Sequence, residues 1–141
     1  MKIEAHVLGE PKGQPRPRAY SRGGRAGVYD PGTANGWKVM VASQIRELLL
    51  SEPFTGPVAV SMRFLMPRPK RLQRAKDPAG EIPHVTKPDP DNLAKAVMDV
   101  CSDLGVWGDD RQVTDLFVQK RYASKDGRAG MHLVIQSLEE L

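Results

Sequence analysis

Cysteine and long apolar runs are what this sequence has least of. One cysteine, Cys101, stands among 141 residues, which excludes an internal disulfide, a zinc ribbon and a dithiol redox motif. No segment approaches the roughly 18 consecutive apolar residues typical of a membrane helix, and no apolar stretch near the start indicates a secretory signal. We therefore expect a cytoplasmic protein in a reducing compartment, with no membrane partner.

Length and composition predict a folded domain that is rich in loops. A chain of 141 residues and 15.6 kDa has the size of one domain, and we expect that domain to span residues 1–141. The 13 glycines and 12 prolines make up about 18% of the chain, which is below the roughly 25–30% typical of disordered sequences. A multidomain enzyme and a fully disordered chain are both disfavoured.

The charges are divided unevenly along the chain. Residues 1–87 contain 15 Lys and Arg against 7 Asp and Glu, a balance of +8, whereas residues 88–141 contain 6 against 10, a balance of −4. A basic half predicts a surface that binds a polyanion such as nucleic acid, next to a different kind of site in the acidic half. A solvated basic face without a partner is the alternative interpretation.

Hydrophobic periodicity predicts an α+β fold with a mixed β-sheet, helices packed on it and two long basic loops. Alternating residues predict strands at 2–8, 58–66, 113–122 and 131–138, the last two joined as a hairpin through 124–127. Apolar residues at helical spacing predict a helix over 37–50 and a second helix with Asp91 or Asn92 as its N-cap and Gly105 as its C-cap. The basic loops cover 10–36 and 67–86.

The most specific chemistry lies in the segment DPDNLAK. Each proline pushes the residue before it into an extended conformation, so Asp89 and Asp91 should project to one side at the start of a helix. Lys95 follows Asp91 by one helical turn and is expected beside it.

A second acidic pair, Asp109 and Asp110, follows this helix after a glycine turn. If the next strand runs back beside the helix start, Asp110 comes close to Asp89 and Asp91. Three clustered carboxylates need a compensating cation, and Mg²⁺ with oxygen ligands fits, which predicts hydrolysis of a phosphodiester with Lys95 stabilising negative charge. Ordinary helix caps, turn residues and a surface ion pair are the alternative.

The stretch KPDPDNLAKAVMDVCSDLGVWGDDRQVTDLFVQK resembles the RusA family of Holliday junction resolvases, which are small endodeoxyribonucleases common in prophages. The resemblance rests on a D-x-D-N-x-x-K start, an Asp-Asp pair after the helix, a following glutamine and a strand that ends in lysine. GEPKGQPRPR (residues 9–18) is similar to the family's basic opening loop. These matching positions are Asp89, Asp91, Asn92, Lys95, Asp109, Asp110, Gln112, Val113 and Lys120.

The resemblance implies a Mg²⁺-dependent homodimer, with Mn²⁺ as a substitute, that makes paired nicks in four-way DNA junctions during recombination and repair. It implies catalytic roles for Asp89, Asp91, Lys95 and Asp110, with Asp109 as a further candidate metal ligand. The basic loop at 67–86 is long for the family and leaves substrate preference open. A nuclease for other branched DNA and a nucleic-acid-binding module without catalysis remain the alternatives.

Basic residues outside the acidic motif are predicted to bind DNA phosphates. These residues are Lys12, Arg16, Arg18, Arg22, Arg71, Lys87 and Lys120. Tyr20 lies among them and can stack on a base or sugar. The histidines His6, His84 and His132 show no spacing typical of metal ligands, and we interpret His132 as structural.

Overall fold

The structure is a computed structural model that describes residues 1–49 and 52–139. Two helices and seven strands form the regular part of the described chain. In chain order they are β1 (Lys2–Leu8), β2 (Arg18–Arg22), β3 (Arg25–Tyr29), α1 (Asn35–Arg46), β4 (Val58–Met66), β5 (Ile82–Pro83), α2 (Pro90–Asp103), β6 (Val113–Tyr122) and β7 (Gly130–Ser137). Neither helix has both the length and the apolar character that a membrane crossing requires.

Five strands form a mixed sheet in the order β1-β7-β4-β6-β5. Strand β7 is antiparallel to both β1 and β4, and the short strand β5 is antiparallel to β6. Strands β4 and β6 are parallel, and α2 lies in the connection between them, because parallel neighbours need a long crossover. The predicted α+β class with a mixed sheet is confirmed.

The predicted hairpin between the last two strands is wrong. Strands β6 and β7 do not pair, because β4 lies between them in the sheet and hydrogen-bonds to both. The short segment 124–127 has the residues typical of a hairpin turn, but β6 and β7 each pair with the long apolar strand β4 instead of with each other. Short-range turn chemistry is therefore overruled by pairing with a strand from a distant part of the chain.

The core lies on one face of the sheet. Strand β4 buries every second residue from Val58 to Met66, and β1 buries every second residue between Ile3 and Val7. Helices α1 and α2 cover this face with apolar stripes that include Trp37 and Val97. The opposite face, here called the open face, carries no helix in the part of the chain that the structure describes, and its strands present both polar residues, such as Arg63, and apolar ones, such as Phe117 and Val134, there.

Both predicted helices are found, with shifted ends. Helix α1 begins two residues before the predicted Trp37 and ends at Arg46, and the predicted end at Leu50 lies outside the described residues. Helix α2 begins at Pro90, a position where a missing N–H costs nothing, and its N-cap is Asp89. The predicted N-cap at Asp91 or Asn92 is therefore wrong, because the helix already starts at the proline. Its C-cap is Leu104, one residue before the predicted Gly105, and Gly105 follows with a φ of 73°, a left-handed conformation that glycine adopts without strain.

The two basic loops are more ordered than predicted. The first contains the β2–β3 hairpin, and the second contains a 3-10 turn at Lys70–Leu72 and strand β5. The guanidinium of Arg68, which is 9% exposed, holds the second loop together. It donates to the carbonyl oxygens of Leu72 (2.8 Å), Gly80 (2.8 Å) and Pro78 (2.6 Å).

We predict that Arg68→Lys lowers the free energy of unfolding by about 2–3 kcal/mol. One ammonium group cannot replace a planar fork that donates to several carbonyls, so buried acceptors are left without donors. Urea denaturation measures the change, and Lys76→Ala, at an exposed position of the same loop, is the control. A loss below about 0.5 kcal/mol would contradict a structural role for Arg68.

Candidate active site

The first half of the site is the start of α2. Asp89 has extended backbone (φ −72°, ψ 151°) and precedes the helix, and Asp91 lies in its first turn. Both side chains are exposed, and Asp89 makes no capping hydrogen bond. The partial positive charge at a helix N-terminus stabilises both carboxylates. Exposed carboxylate oxygens that the helix backbone does not occupy fit a hard divalent cation such as Mg²⁺.

The chain ahead of Asp89 is fixed to the sheet by Lys120. Its ammonium donates to the carbonyl oxygens of Thr86 (2.6 Å) and Pro88 (2.7 Å). Lys120 lies on the helix-covered face of β6, in register with Phe64 of β4. Its proposed contact with DNA stays a prediction, whereas its observed contacts position the segment that carries Asp89.

The basic opening loop (residues 9–18) packs against the first turn of α2. The backbone N–H of Gln14 donates to the carbonyl of Asn92 (2.8 Å), and its side-chain amide donates to Asp30 (3.0 Å). Gly13 allows the close approach, because a Cβ there would lie 3.0 Å from Cβ of Pro88 and 3.1 Å from Cβ of Asn92. The loop is therefore held beside the acidic pair.

A groove of about 470 Å³ lies between the opening loop and α2. Arg16 and Lys87 line it together with Asp89, so two cationic side chains border the acidic residue. A neighbouring groove of about 460 Å³ is lined by Lys12 and again by Lys87. Lys12 also pairs with Glu10 at 3.1 Å. One groove therefore places cations of the kind that bind phosphates beside a carboxylate that can bind a metal ion.

The predicted catalytic lysine points along α2. Lys95 is exposed, and its ammonium lies 3.4 Å from the carboxylate of Asp99, one turn further from Asp91. Lys38 of α1 also approaches Asp99, at 3.7 Å. An exposed pair of this kind contributes about 0.3–0.5 kcal/mol, so Lys95 can leave it at little cost.

The second half of the site surrounds Asp110, which begins a 3-10 turn before β6. One oxygen of its carboxylate, Oδ1, accepts hydrogen bonds from the Ser102 hydroxyl and from the indole N–H of Trp107 (3.1 Å). Trp107 is buried beneath this turn. Burial, with a smaller contribution from the Asp110 charge, raises the pKa of the neighbouring Cys101 thiol to about 12. No hydrogen bond to the other oxygen is found within the described residues.

Asp109 caps the same turn. Its carboxylate accepts from the backbone N–H of Arg111 (2.9 Å), and the Gln112 side chain accepts from the N–H of Asp109 (3.1 Å), which completes a capping box. The Gln112 amide donates to the carbonyls of Phe54 (3.0 Å) and Gly56 (3.1 Å). Both residues have a clear structural use, and a metal-binding role for Asp109 stays a prediction.

The two halves of the site lie at opposite ends of α2. Asp110 bonds to Ser102 in the last turn, whereas Asp89 precedes the first turn of this 14-residue helix, which is about 21 Å long. The expected convergence within one chain is therefore not found. Strand β6 does run back toward the helix start, but the residue that it delivers there is Lys120 and not Asp110.

Comparison with known proteins identifies the family. The family model described as "Endodeoxyribonuclease RusA" matches residues 9–133. The chain belongs to the RusA family. It is also similar to "Uncharacterized protein YqaN" of Bacillus subtilis (strain 168), with 36% identity over 131 residues that cover 87% of this chain and 89% of that protein. The RusA assignment makes the protein an endodeoxyribonuclease of a Holliday junction resolvase family and favours the enzyme over the alternative of a binding module.

The remaining predicted DNA-binding residues of this RusA protein lie on two projections. Arg18 and Arg22 lie on the exposed β2–β3 hairpin, where the rings of Tyr20 and Tyr29 are 6.2 Å apart. Arg71 lies in the 3-10 turn of the second loop, with its guanidinium 3.5 Å from the hydroxyl of Tyr122. All three arginines are exposed, and their contact with DNA stays a prediction.

Sequence patterns did not single out the positioning residues of the RusA site. Gly13 and Gln14 set the opening loop, and Ser102 orients Asp110. A glycine between basic residues and a serine on a helix are too common to indicate these roles. Their partners are distant in sequence or on the next element, so only the folded chain shows the contacts.

We predict that Gly13→Ala loosens the opening loop from α2. The new methyl group would overlap the space of Pro88 and Asn92, at a cost of about 1 kcal/mol or more. Hydrogen exchange at the Gln14 amide should accelerate by at least about fivefold. Gly36→Ala, in α1 with open space around it, is the control and should leave that amide unchanged. Equal exchange in both variants would contradict the packing argument.

Proposed function

We propose that this RusA protein is a Mg²⁺-dependent, homodimeric endonuclease that resolves four-way DNA junctions by paired phosphodiester cleavage, in recombination and repair. The observation that carries the proposal is the exposed pair Asp89 and Asp91 at the N-terminus of α2, bordered by Arg16 and Lys87. Mn²⁺ has the same preference for oxygen ligands and is expected to substitute for Mg²⁺.

Asp89 and Asp91 would hold the metal ion together with Asp110, and the bound ion would supply a nucleophilic water and polarise the phosphoryl oxygens. Arg16 and Lys87 bind the phosphates that flank the scissile bond and orient the strand. Lys95, released from its exposed pair with Asp99, stabilises the negative charge that develops at phosphorus.

A homodimer resolves the separation between the two halves of the site. The outer edge of β6 is unpaired from Val113 to Gln119 in the described part of the sheet, because β5 pairs only with Arg121 and Tyr122. Leu116 and Phe117 on this edge are 46% and 58% exposed, which is unusual for large apolar residues of a strand. An unpaired edge with exposed apolar residues is a template for pairing with another chain.

Antiparallel pairing of two β6 edges about a two-fold axis brings the start of one strand beside the end of the other. Asp110, ahead of β6, then approaches Lys120 of the second copy, whose ammonium bonds the carbonyl next to Asp89. We propose that each complete site combines Asp89 and Asp91 of one chain with Asp110 of the other. Two such sites suit the two opposed strands of a symmetric junction.

Asp91→Asn should abolish cleavage and keep binding. We expect the single-turnover rate on a synthetic four-way junction in Mg²⁺ to fall by at least about 100-fold, because a ligand oxygen loses its charge. Binding should be unchanged or tighter, since a negative charge facing phosphates is removed. Asp103→Asn, the same change at the exposed end of α2, is the control.

Wild-type cleavage of a fork or linear duplex as fast as the four-way junction would contradict junction selectivity. Cleavage by Asp91→Asn at the control rate would contradict the metal site itself.

Mixing two inactive variants tests whether the site spans two chains. If each site is shared between chains, a heterodimer of Asp91→Asn and Asp110→Asn contains two different sites. One site has all its aspartates, and the other carries both substitutions. Refolding the variants together should therefore restore about a quarter of the sites, with single nicks in place of paired ones. If each site lies within one chain, no cleavage returns although heterodimers form. Leu116→Lys, introduced into both variants, should prevent dimer formation and remove the rescue.

A further inference from the structure

A second cluster of metal-ligating side chains lies on the open face, away from α2. Glu4 and His6 project from β1 on the side opposite the buried Ile3 and Ala5. His132 of β7 is directly opposite His6 in the antiparallel register. Three potential ligands are thus held by two adjacent strands of the sheet.

The geometry of the cluster is compact. The rings of His6 and His132 are stacked with their centroids 4.4 Å apart and their planes within 11° of each other. Nε2 of His132 lies 2.8 Å from Oε1 of Glu4, and this hydrogen bond lowers the pKa of the carboxyl group. One ligand atom from each residue lies within 4.8 Å of the others. Within residues 1–49 and 52–139, no other group of three such residues meets that spacing.

The neighbouring charges leave the cluster open to a cation. Lys2 approaches the second oxygen of Glu4 at 3.9 Å, and both side chains are about half exposed. Arg63 of β4 is opposite His132 in register, but its guanidinium is paired with Glu81. The charge of Arg63 is therefore already neutralised by Glu81, and Lys2 is a flexible side chain that can move into solvent.

The ligand atoms point to a transition metal. Imidazole nitrogens favour Zn²⁺, Cu²⁺ or Ni²⁺, whereas the aspartates at α2 offer only the oxygens that Mg²⁺ prefers. Zinc–ligand bonds of about 2.0–2.1 Å place the ligand atoms of a tetrahedral centre about 3.3 Å apart. The ligand atoms of Glu4, His6 and His132, at most 4.8 Å apart, can therefore reach this spacing by side-chain rotation alone, because Glu4 and His6 are exposed.

We propose that Glu4, His6 and His132 form a zinc site that is separate from the nuclease site and links β1 to β7. Three protein ligands leave the remaining coordination position to water. Glu4 and His6 precede residues 9–133, the range that the RusA model matches, so two of the three ligands lie outside that match. The proposed zinc site is therefore built by β1 and β7, apart from the acidic motif at α2.

Calorimetric titration of the full chain with zinc chloride tests the proposal, with millimolar Mg²⁺ present to occupy oxygen sites. We expect one zinc ion per chain, and at least about tenfold weaker binding for both His6→Ala and His132→Ala. Lys2→Ala keeps all three ligands and removes a competing cation, so it should bind as tightly as wild type or more tightly. A double Asp89→Asn, Asp91→Asn variant should bind zinc as wild type does.

Thermal unfolding gives a second measurement. Zinc that binds only the folded chain should raise Tm by roughly 10 °C at a free concentration 100 times Kd, and His132→Ala should lose this shift. Zinc binding that survives both histidine substitutions, that is lost in the aspartate variant, or that saturates only at millimolar zinc would overturn the proposal. Zinc binding at the histidines and junction cleavage at the aspartates are thus tested by separate variants.

Discussion

Helix α2 and strand β6 run in opposite directions, and this arrangement decides where every acidic residue of the site lies. The helix is a rigid spacer of about 21 Å with Asp89 before its start and Ser102 in its last turn. Because β6 begins beside the end of the helix, Asp110 is retained there by Ser102 and Trp107. A single chain therefore presents two separated acidic groups, and the proposed dimer is the arrangement that unites them.

Two basic residues, Arg68 and Lys120, hold parts of the backbone in place. Arg68 and Lys120 come from segments whose charge suggests phosphate binding, yet both donate to backbone carbonyls and order the chain around them. Arg16 and Lys87 have no such partners within the described residues and line the groove beside Asp89. The basic charge predicted a polyanionic ligand. Burial and hydrogen bonding distinguish the basic residues that bind backbone carbonyls from those whose side chains face solvent.

The two candidate metal sites differ in ligand chemistry and in how the fold builds them. Asp89 and Asp91 are two residues apart and share a helix start, so the sequence shows them together. His6 and His132 lie on the first and last strands of the chain and meet only because β1 pairs with β7. The carboxylate oxygens at one place and the imidazole nitrogens at the other prefer different classes of metal ion.

The sequence by itself determined the fold class, the boundaries of β1 and β4, the glycine turn that follows α2 and the family, because alternation, helical spacing and a local charged motif are properties of short segments. Only the tertiary structure decided which strands pair, because pairing compares segments that are distant along the chain. The same reason explains why the predicted 124–127 hairpin was wrong and why Asp110 lies far from Asp89. A local motif determines which residues lie at the start of α2. The direction of β6 determines which other residue comes close to them, and in one chain that residue is Lys120.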